Sequence, residues 1–318
     1  MMRHAIAHLQ GSKIREVANA GLGRSDVLAF WFGESDEVTS QAVRDEAKAS
    51  LDRGETFYSH NLGLAELRQA IAGYTSALHG PVEMDRIVVT SSGVSGLMLA
   101  TQLLLDPGDE VVAVTPVWPN LTAQPQILGA QVVRLPLSVR HGVWSLDLDR
   151  LRQTVTSTTK VLLVNAPNNP TGWTLPAAQQ RAILEHCRQT GTWIVADEVY
   201  ERLYFGDAPA APSFLDAAHP QDRLIVIHSF SKSFLMTGWR LGWMVVPPEV
   251  VDPLGKLTEF NTSCAPVFVQ RAALLAVQQA SFSVPPLRAH LLQCAQRLVG
   301  GLKSLPRVEV AAPQGGMY

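Results

Sequence analysis

Between residues 86 and 246 the chain alternates two kinds of segment, and this alternation narrows its fold more than any other feature. Short β-branched runs end in Gly, Pro, Asn or Ser, and longer helical patterns follow them. The runs are "RIVVT" (86–90), "PGDEVVAVT" (107–115), "QVVRLPL" (131–137), "KVLLVN" (160–165), "WIVAD" (193–197), "LIVIHS" (224–229) and "LGWMVV" (241–246). Strands so continuously apolar are covered on both faces, so the pattern predicts an α/β fold with a mainly parallel sheet between helix layers. The last run follows its predecessor too closely for a crossover helix and a long loop, and is expected to run antiparallel. "QRAALLAVQQASF" reads as a long helix leaving the sheet, and "PPLRAHLLQCAQRLVGGLKSL" as the start of a second, smaller layer.

A chain of 318 residues with 47% hydrophobic and 17% charged content can bury such a sheet. Its net charge of −2 gives no footprint for nucleic acid or a membrane surface, and neither is expected as a partner. No apolar run approaches the ~20 residues of a membrane span. The opening "MMRHAIAHLQGSKIREV" carries charges where a secretory signal has its apolar stretch, so a cytoplasmic protein is expected. Cys187, Cys264 and Cys294 lack metal-ligand spacing and read as small buried hydrophobes.

In open α/β sheets ligands sit beyond the carboxyl ends of the strands, and the unusual residue clusters fall there. "TSSGVSG" (90–96) starts a helix: its small residues either cap it or let backbone N–H groups approach an anion. "NAPNNPTG" (165–172) is a rigid Asx/Pro turn with side-chain amides to spare. Asp197 and Glu198 follow four apolar residues, and a buried carboxylate there needs a helix cap, a metal or a cationic heterocycle. Short-range metal spacing is absent, and Tyr200 lies near enough to share the cavity. In "HSFSKSFLMTGWRLGW" (228–243), Lys232 is either a loop lysine or a desolvated amine suited to carbonyl chemistry. Arg240 beside it favours the second reading, because two cations between apolar strands imply a shared anion such as phosphate. An amine, a phosphate cradle, a carboxylate, amides and a phenol together suit pyridoxal phosphate.

Four motifs, "YSHNLGLAELR", "APNNPTG", "ADEVY" and "SFSKSFLMTGWRLG", resemble in order and spacing those of the class I/II pyridoxal-phosphate aminotransferases, fold type I. The resemblance implies a three-layer α/β/α large domain over residues 36–280 with a mostly parallel seven-stranded sheet. Residues 1–35 would form an N-terminal arm and a segment of the small domain, and 281–318 the start of a smaller, incomplete α+β domain. It implies that Lys232 is the Schiff-base lysine and proton carrier, and that Asp197 pairs with the ring nitrogen. Asn169 and Tyr200 would hold the phenolic oxygen, and Trp118 would stack on the ring. The phosphate would meet Ser92, the backbone of Gly93 and Val94, Ser229, Ser231 and Arg240. Tyr58 would reach the phosphate of a neighbouring subunit in a homodimer, and Gly33, with Asn169, would lie near the substrate.

The implied reaction is ping-pong transamination between an amino acid and a 2-oxo acid, with pyridoxal 5'-phosphate as cofactor. Two alternatives stay open: a C–S β-lyase or other lyase on the same site, and a cofactor-binding protein with little turnover. The second arises because the family's arginine for the substrate α-carboxylate follows the "GGMY" strand, beyond Tyr318. Arg288, Arg297 and Arg307 read as solvated, and no upstream arginine matches the role by motif. A large loss of transamination efficiency is the corresponding expectation. "LTEFNTSCAPVFVQ" lacks the arginine of dicarboxylate-specific relatives, which leans against strict aspartate/glutamate specificity.

Overall fold

The computed structural model describes residues 2–318. The apolar runs form strands β1 (Ile87–Thr90), β2 (Glu110–Thr115) and β3 (Gln131–Pro136), then, after a short hairpin of β4 (Ser138–Arg140) and β5 (Val143–Ser145), β6 (Thr159–Asn165), β7 (Trp193–Asp197), β8 (Leu224–Ser229) and β9 (Gly242–Val245). Seven of these make one sheet in the order β1-β9-β8-β7-β6-β2-β3. All pairings are parallel except those of β9, which is antiparallel to both β1 and β8, as the short connection into it required.

Alternate strand residues enter opposite layers because successive side chains point to opposite faces. Val88, Val111 and Leu163 join the layer containing the helices Gly93–Leu104, Asn120–Leu128 and Val251–Asn261. Val89, Val112 and Leu162 join the layer containing Ala65–His79, Ala177–Thr190 and Val267–Gln278. Each fully buried Leu, Ile or Val contributes roughly 1.5–3 kcal/mol, so the doubly covered sheet is the stable frame on which everything else is placed.

Register aligns the working ends of the strands. Asn165 pairs with Asp197 at the carboxyl ends of β6 and β7. Gly242 opens β9 opposite both Thr90 and Ser229. The reversed direction of β9 thus delivers Arg240, just before it, to the edge where its neighbours end.

Three sequence expectations change. The β4–β5 hairpin was not foreseen, and "QVVRLPL" ends as sheet at Pro136. "PPLRAHLLQ" opens no new element: Pro285 and Pro286 lie inside the helix Ala280–Lys303. Among the cysteines Cys187 is buried, but Cys264 is half-buried and Cys294 exposed. After the long helix, residues 314–316 hydrogen-bond to Gly172, Leu203 and Phe205, which brings Tyr318 over the strand ends. At the other terminus, Thr39 donates to the Leu235 carbonyl (2.6 Å) and accepts from Trp239 Nε1 (2.9 Å), fixing the segment before it over the same edge. Among the described residues no helix is long and apolar enough to cross a membrane.

Candidate active site

A cavity of about 630 Å³ opens at the carboxyl ends of β6, β7 and β8. Of the residues expected from sequence, Gly33, Gly93, Val94, Trp118, Asn169, Asp197, Tyr200, Ser229, Ser231, Lys232 and Arg240 all line it. Ser92 does not: it is buried, and its hydroxyl caps the helix Gly93–Leu104 by accepting from the Ser95 N–H (3.0 Å). Tyr58 stands apart from the cavity at 86% exposure.

Lys232 follows β8 in a turn of the chain, and its Nζ donates to the Gly33 carbonyl at 2.5 Å. Burial pushes its ammonium below the usual lysine range, while the charges of Glu34 and Asp197 pull it partly back. Lowering that pKa makes the free amine more accessible, which a nucleophile or proton acceptor needs. A Cβ on Gly33 would overlap the Tyr318 hydroxyl, so the absence of a side chain lets that ring lie against residue 33.

Asp197 ends β7 almost fully buried. Its carboxylate accepts, among the described residues, one long hydrogen bond from the Val199 N–H (3.4 Å). Burial pushes its carboxyl up to about 7, with Val199 and the charge of Lys232 acting in the opposite sense. A carboxylate so placed is completed by a cationic group in the cavity.

Asn169 and Tyr200 converge on one oxygen. Asn169 Nδ2 donates to the Tyr318 hydroxyl (2.8 Å), and the Tyr200 hydroxyl lies 2.9 Å from it. Asn165, whose amide donates to the Asp197 carbonyl (2.9 Å) while its Oδ1 accepts from Asn169 N–H (2.7 Å), locks the turn to β7. Burial raises the Tyr200 phenol well above its ordinary value. The pair is a grip for a phenolic oxygen.

The opposite end is built for an anion. The helix Gly93–Leu104 starts there, with its N–H groups unpaired within the helix. The Ser229 hydroxyl accepts from Ser231 N–H (3.1 Å). Arg240, in a left-handed backbone conformation (φ 56°), reaches the Thr237 carbonyl (2.5 Å) and Ser231 Oγ (3.5 Å). The helix start can press against the sheet only because residue 242 is glycine: a Cβ there would sit 2.6 Å from Gly93 N and 2.7 Å from the His228 carbonyl.

The roof was not foreseen. Ser12, Ile14, Arg15, Trp31, Phe32 and Glu34 line the cavity from the N-terminal segment, and Tyr318 from the other end of the chain. Trp31 and Phe32 are large aromatics beside the expected Gly33, which is the one sequence signal that could have found them. Arg288, read as solvated, instead ties the loop at Gly206 and Ala208 to the long helix.

Behind the floor lies a buried ionic cluster. His79 makes hydrogen bonds to Glu201 (2.8 Å) and Asp216 (2.9 Å) through its two ring nitrogens. Burial alone would lower its pKa, but Asp216 and Glu201 outweigh burial and raise it to about 10. Glu198 and His228 adjoin the cluster, so residues next to Asp197, Tyr200 and Ser229 face inward while those three face the cavity.

The profile of the family described as aminotransferase class I and II matches residues 26–318. An aspartate aminotransferase of Pyrococcus horikoshii is 31% identical over 313 residues, covering 98% of this chain and 79% of that protein. Among solved structures, an aspartate aminotransferase from Thermotoga maritima superposes with a TM-score of 0.89 at 29% identity, covering 99% of this chain and 84% of that one. An aromatic aminotransferase from Pyrococcus horikoshii gives 0.81 at 29% identity, covering 90% and 77%.

Proposed function

The chain belongs to the class I and II aminotransferases, and from that premise we propose that it moves amino groups between amino acids and 2-oxo acids with pyridoxal 5'-phosphate at Lys232. The observation that carries this reading is the pair Asp197 and Lys232, a buried carboxylate without a bonded cation and a buried amine, lining one cavity.

The residues fit that cofactor. Asn169 and Tyr200 already close on one phenolic oxygen, that of Tyr318, and the cofactor's ring hydroxyl is another such oxygen. Asp197 offers a buried negative charge to a ring nitrogen that must stay protonated. Ser229, Ser231, Arg240 and the N–H groups of Gly93 and Val94 offer charge-assisted and neutral donors to a phosphate. Trp118 offers a ring face. When bound, the group supplies an aldehyde that bonds amines and a cationic ring that withdraws electrons from the substrate Cα.

The protein's own part follows from geometry. Lys232 would hold the cofactor's aldehyde carbon until a substrate amine took its place. Its freed amine, whose pKa burial lowers, would then take the proton from the substrate Cα, pass it to the cofactor, and reverse that transfer with the second substrate. Asp197 keeps the charge that makes that proton acidic. Phe32 and Trp31 cover the reacting atoms and limit water, which suppresses hydrolysis and strengthens the charges inside. Gly33 and Asn169 line the part of the cavity where the substrate enters. The exposure of Tyr58 beside Phe57 (83%) supports the reading that it reaches a second subunit's phosphate, with a homodimer as the working unit.

The test is an absorbance spectrum with borohydride reduction on the wild type and on Lys232→Ala. The wild type is expected to carry a chromophore that reduction fixes to Lys232, and the variant to lack it. Incubation with aspartate or an aromatic amino acid and a 2-oxo acid is expected to yield the new amino acid. Release of ammonia in its place would assign a lyase.

A further inference from the structure

We propose that Arg15 grips a carboxylate of the amino-acid and 2-oxo-acid substrates, an assignment that rests on the cofactor reading above. Amino acids and 2-oxo acids both carry a carboxylate beside the reacting carbon. Inside a partly closed cavity such a charge needs a cationic partner, since leaving it desolvated and unpaired is costly. Among the described residues three cations line this cavity: Lys232, Arg240 and Arg15. Lys232 carries the chemistry. Arg240 is fastened at the anion end by Thr237 and Ser231.

Arg15 is the one left over, and its setting suits the role. It sits in the first turn of the helix Lys13–Gly21, whose N-cap Ser12 accepts from the Arg15 backbone N–H. Its guanidinium carbon lies 4.8 Å over the centre of the Phe32 ring. A cation held over an aromatic face keeps its N–H donors available to a further partner. Among the described residues those donors meet no carboxylate, whereas the neighbouring Lys13 is paired with Glu16. The next residue along from Phe32 is Gly33, whose carbonyl holds Lys232 Nζ. Two consecutive residues of the strap therefore carry the two cations, the reacting amine on one and a planar fork on the other. A fork of this shape takes a carboxylate bidentately. Glu34, an acidic residue of the same lining, accepts from the Thr237 hydroxyl at 3.2 Å.

The experiment uses the cofactor-loaded protein and two unreactive carboxylates, propionate and succinate, titrated by their effect on the chromophore. In Arg15→Met, which keeps an apolar stem over Phe32, the Kd for a gripped carboxylate is expected to rise about 10- to 100-fold, at 1.4 kcal/mol per tenfold. Arg15→Lys, which keeps the charge but not the fork, is expected to fall between. The chromophore and the thermal midpoint should stay as in the wild type. An equal loss for both probes assigns the α-carboxylate; a loss for succinate alone assigns a side-chain carboxylate. Unchanged affinities for both probes overturn the assignment while leaving the cofactor reading intact. A wild type with no chromophore on Lys232 overturns that reading, and the Arg15 assignment with it.

Discussion

Asp197 shows how a single side chain sets the chemistry of its surroundings. Its carboxylate has one long hydrogen bond at the end of a buried strand, and burial raises its pKa to about 7. Asn at this position keeps the shape and loses the charge. Asp197→Asn is expected to keep the chromophore on Lys232 but to lower turnover about 10²- to 10³-fold, the scale for removing one preorganised electrostatic contact. Turnover within a few-fold of wild type, measured under saturating cofactor, would sink the role given to Asp197. Residues such as Asp197 and Lys232 were legible in the sequence because charge directly after a buried run demands a reason. Arg15 and Tyr318 were not. Tyr318 reaches the cavity through irregular chain whose path is set by distant contacts such as Gln314 N–H to the Gly172 carbonyl, and Arg15 from a helix whose place over the cavity its own sequence does not encode.

At the scale of elements, the site depends on how closely a helix start can approach the sheet. Gly242 lies at the meeting point of β1, β8 and β9, and a Cβ there would press on backbone at Gly93, Ser92 and His228. Backbone cannot rotate away as a side chain can. Gly242→Ala is therefore expected to cost about 1–3 kcal/mol by overpacking, and to weaken cofactor binding because the N–H groups of the helix start shift. Denaturant midpoints and a cofactor titration check this, and a variant unchanged in both would show that the contact is softer than its geometry. The strands and the antiparallel sense of β9 were legible, since apolar run length and connection length carry that information. The order of strands was not, nor was the β4–β5 hairpin, whose short, mostly exposed strands set only Trp144 against the core. The glycine's purpose was hidden as well, because it depends on three segments far apart in the chain.

Across the whole molecule, the ionic cluster behind the floor joins one helix layer to the site. His79 ends the helix Ala65–His79; Glu198 and Glu201 follow β7; Asp216 belongs to a short turn; His228 lies in β8. Sequence spacing could not reveal this cluster, since its members are up to 149 positions apart, from residue 79 to residue 228. His79 is charged in the folded protein, with a pKa raised from 6.5 to about 10, so the stability it adds is full below pH 6.5 and is lost as pH climbs through 10. Glu198, pushed by burial from 4.5 up to about 8, acts in the same direction, because the folded state holds its proton more tightly than the unfolded chain does. Without cofactor the contribution of these two groups is thus expected to decline from about pH 5 to pH 10, whereas His228, whose pKa burial lowers from 6.5, adds an opposing rise that is complete by about pH 6.5. Replacing His79 by Leu leaves Glu201 buried without its hydrogen-bonded cation, at a cost of about 3–5 kcal/mol near neutral pH. The variant should also lose the part of the decline that lies between pH 6.5 and 10, while the Glu198 part persists. Denaturant midpoints for both proteins across that range decide the matter. An alkaline slope in His79→Leu as steep as in the wild type would place the linkage on other groups and remove the cluster's claim to support the floor on which Asp197, Tyr200 and Ser229 stand.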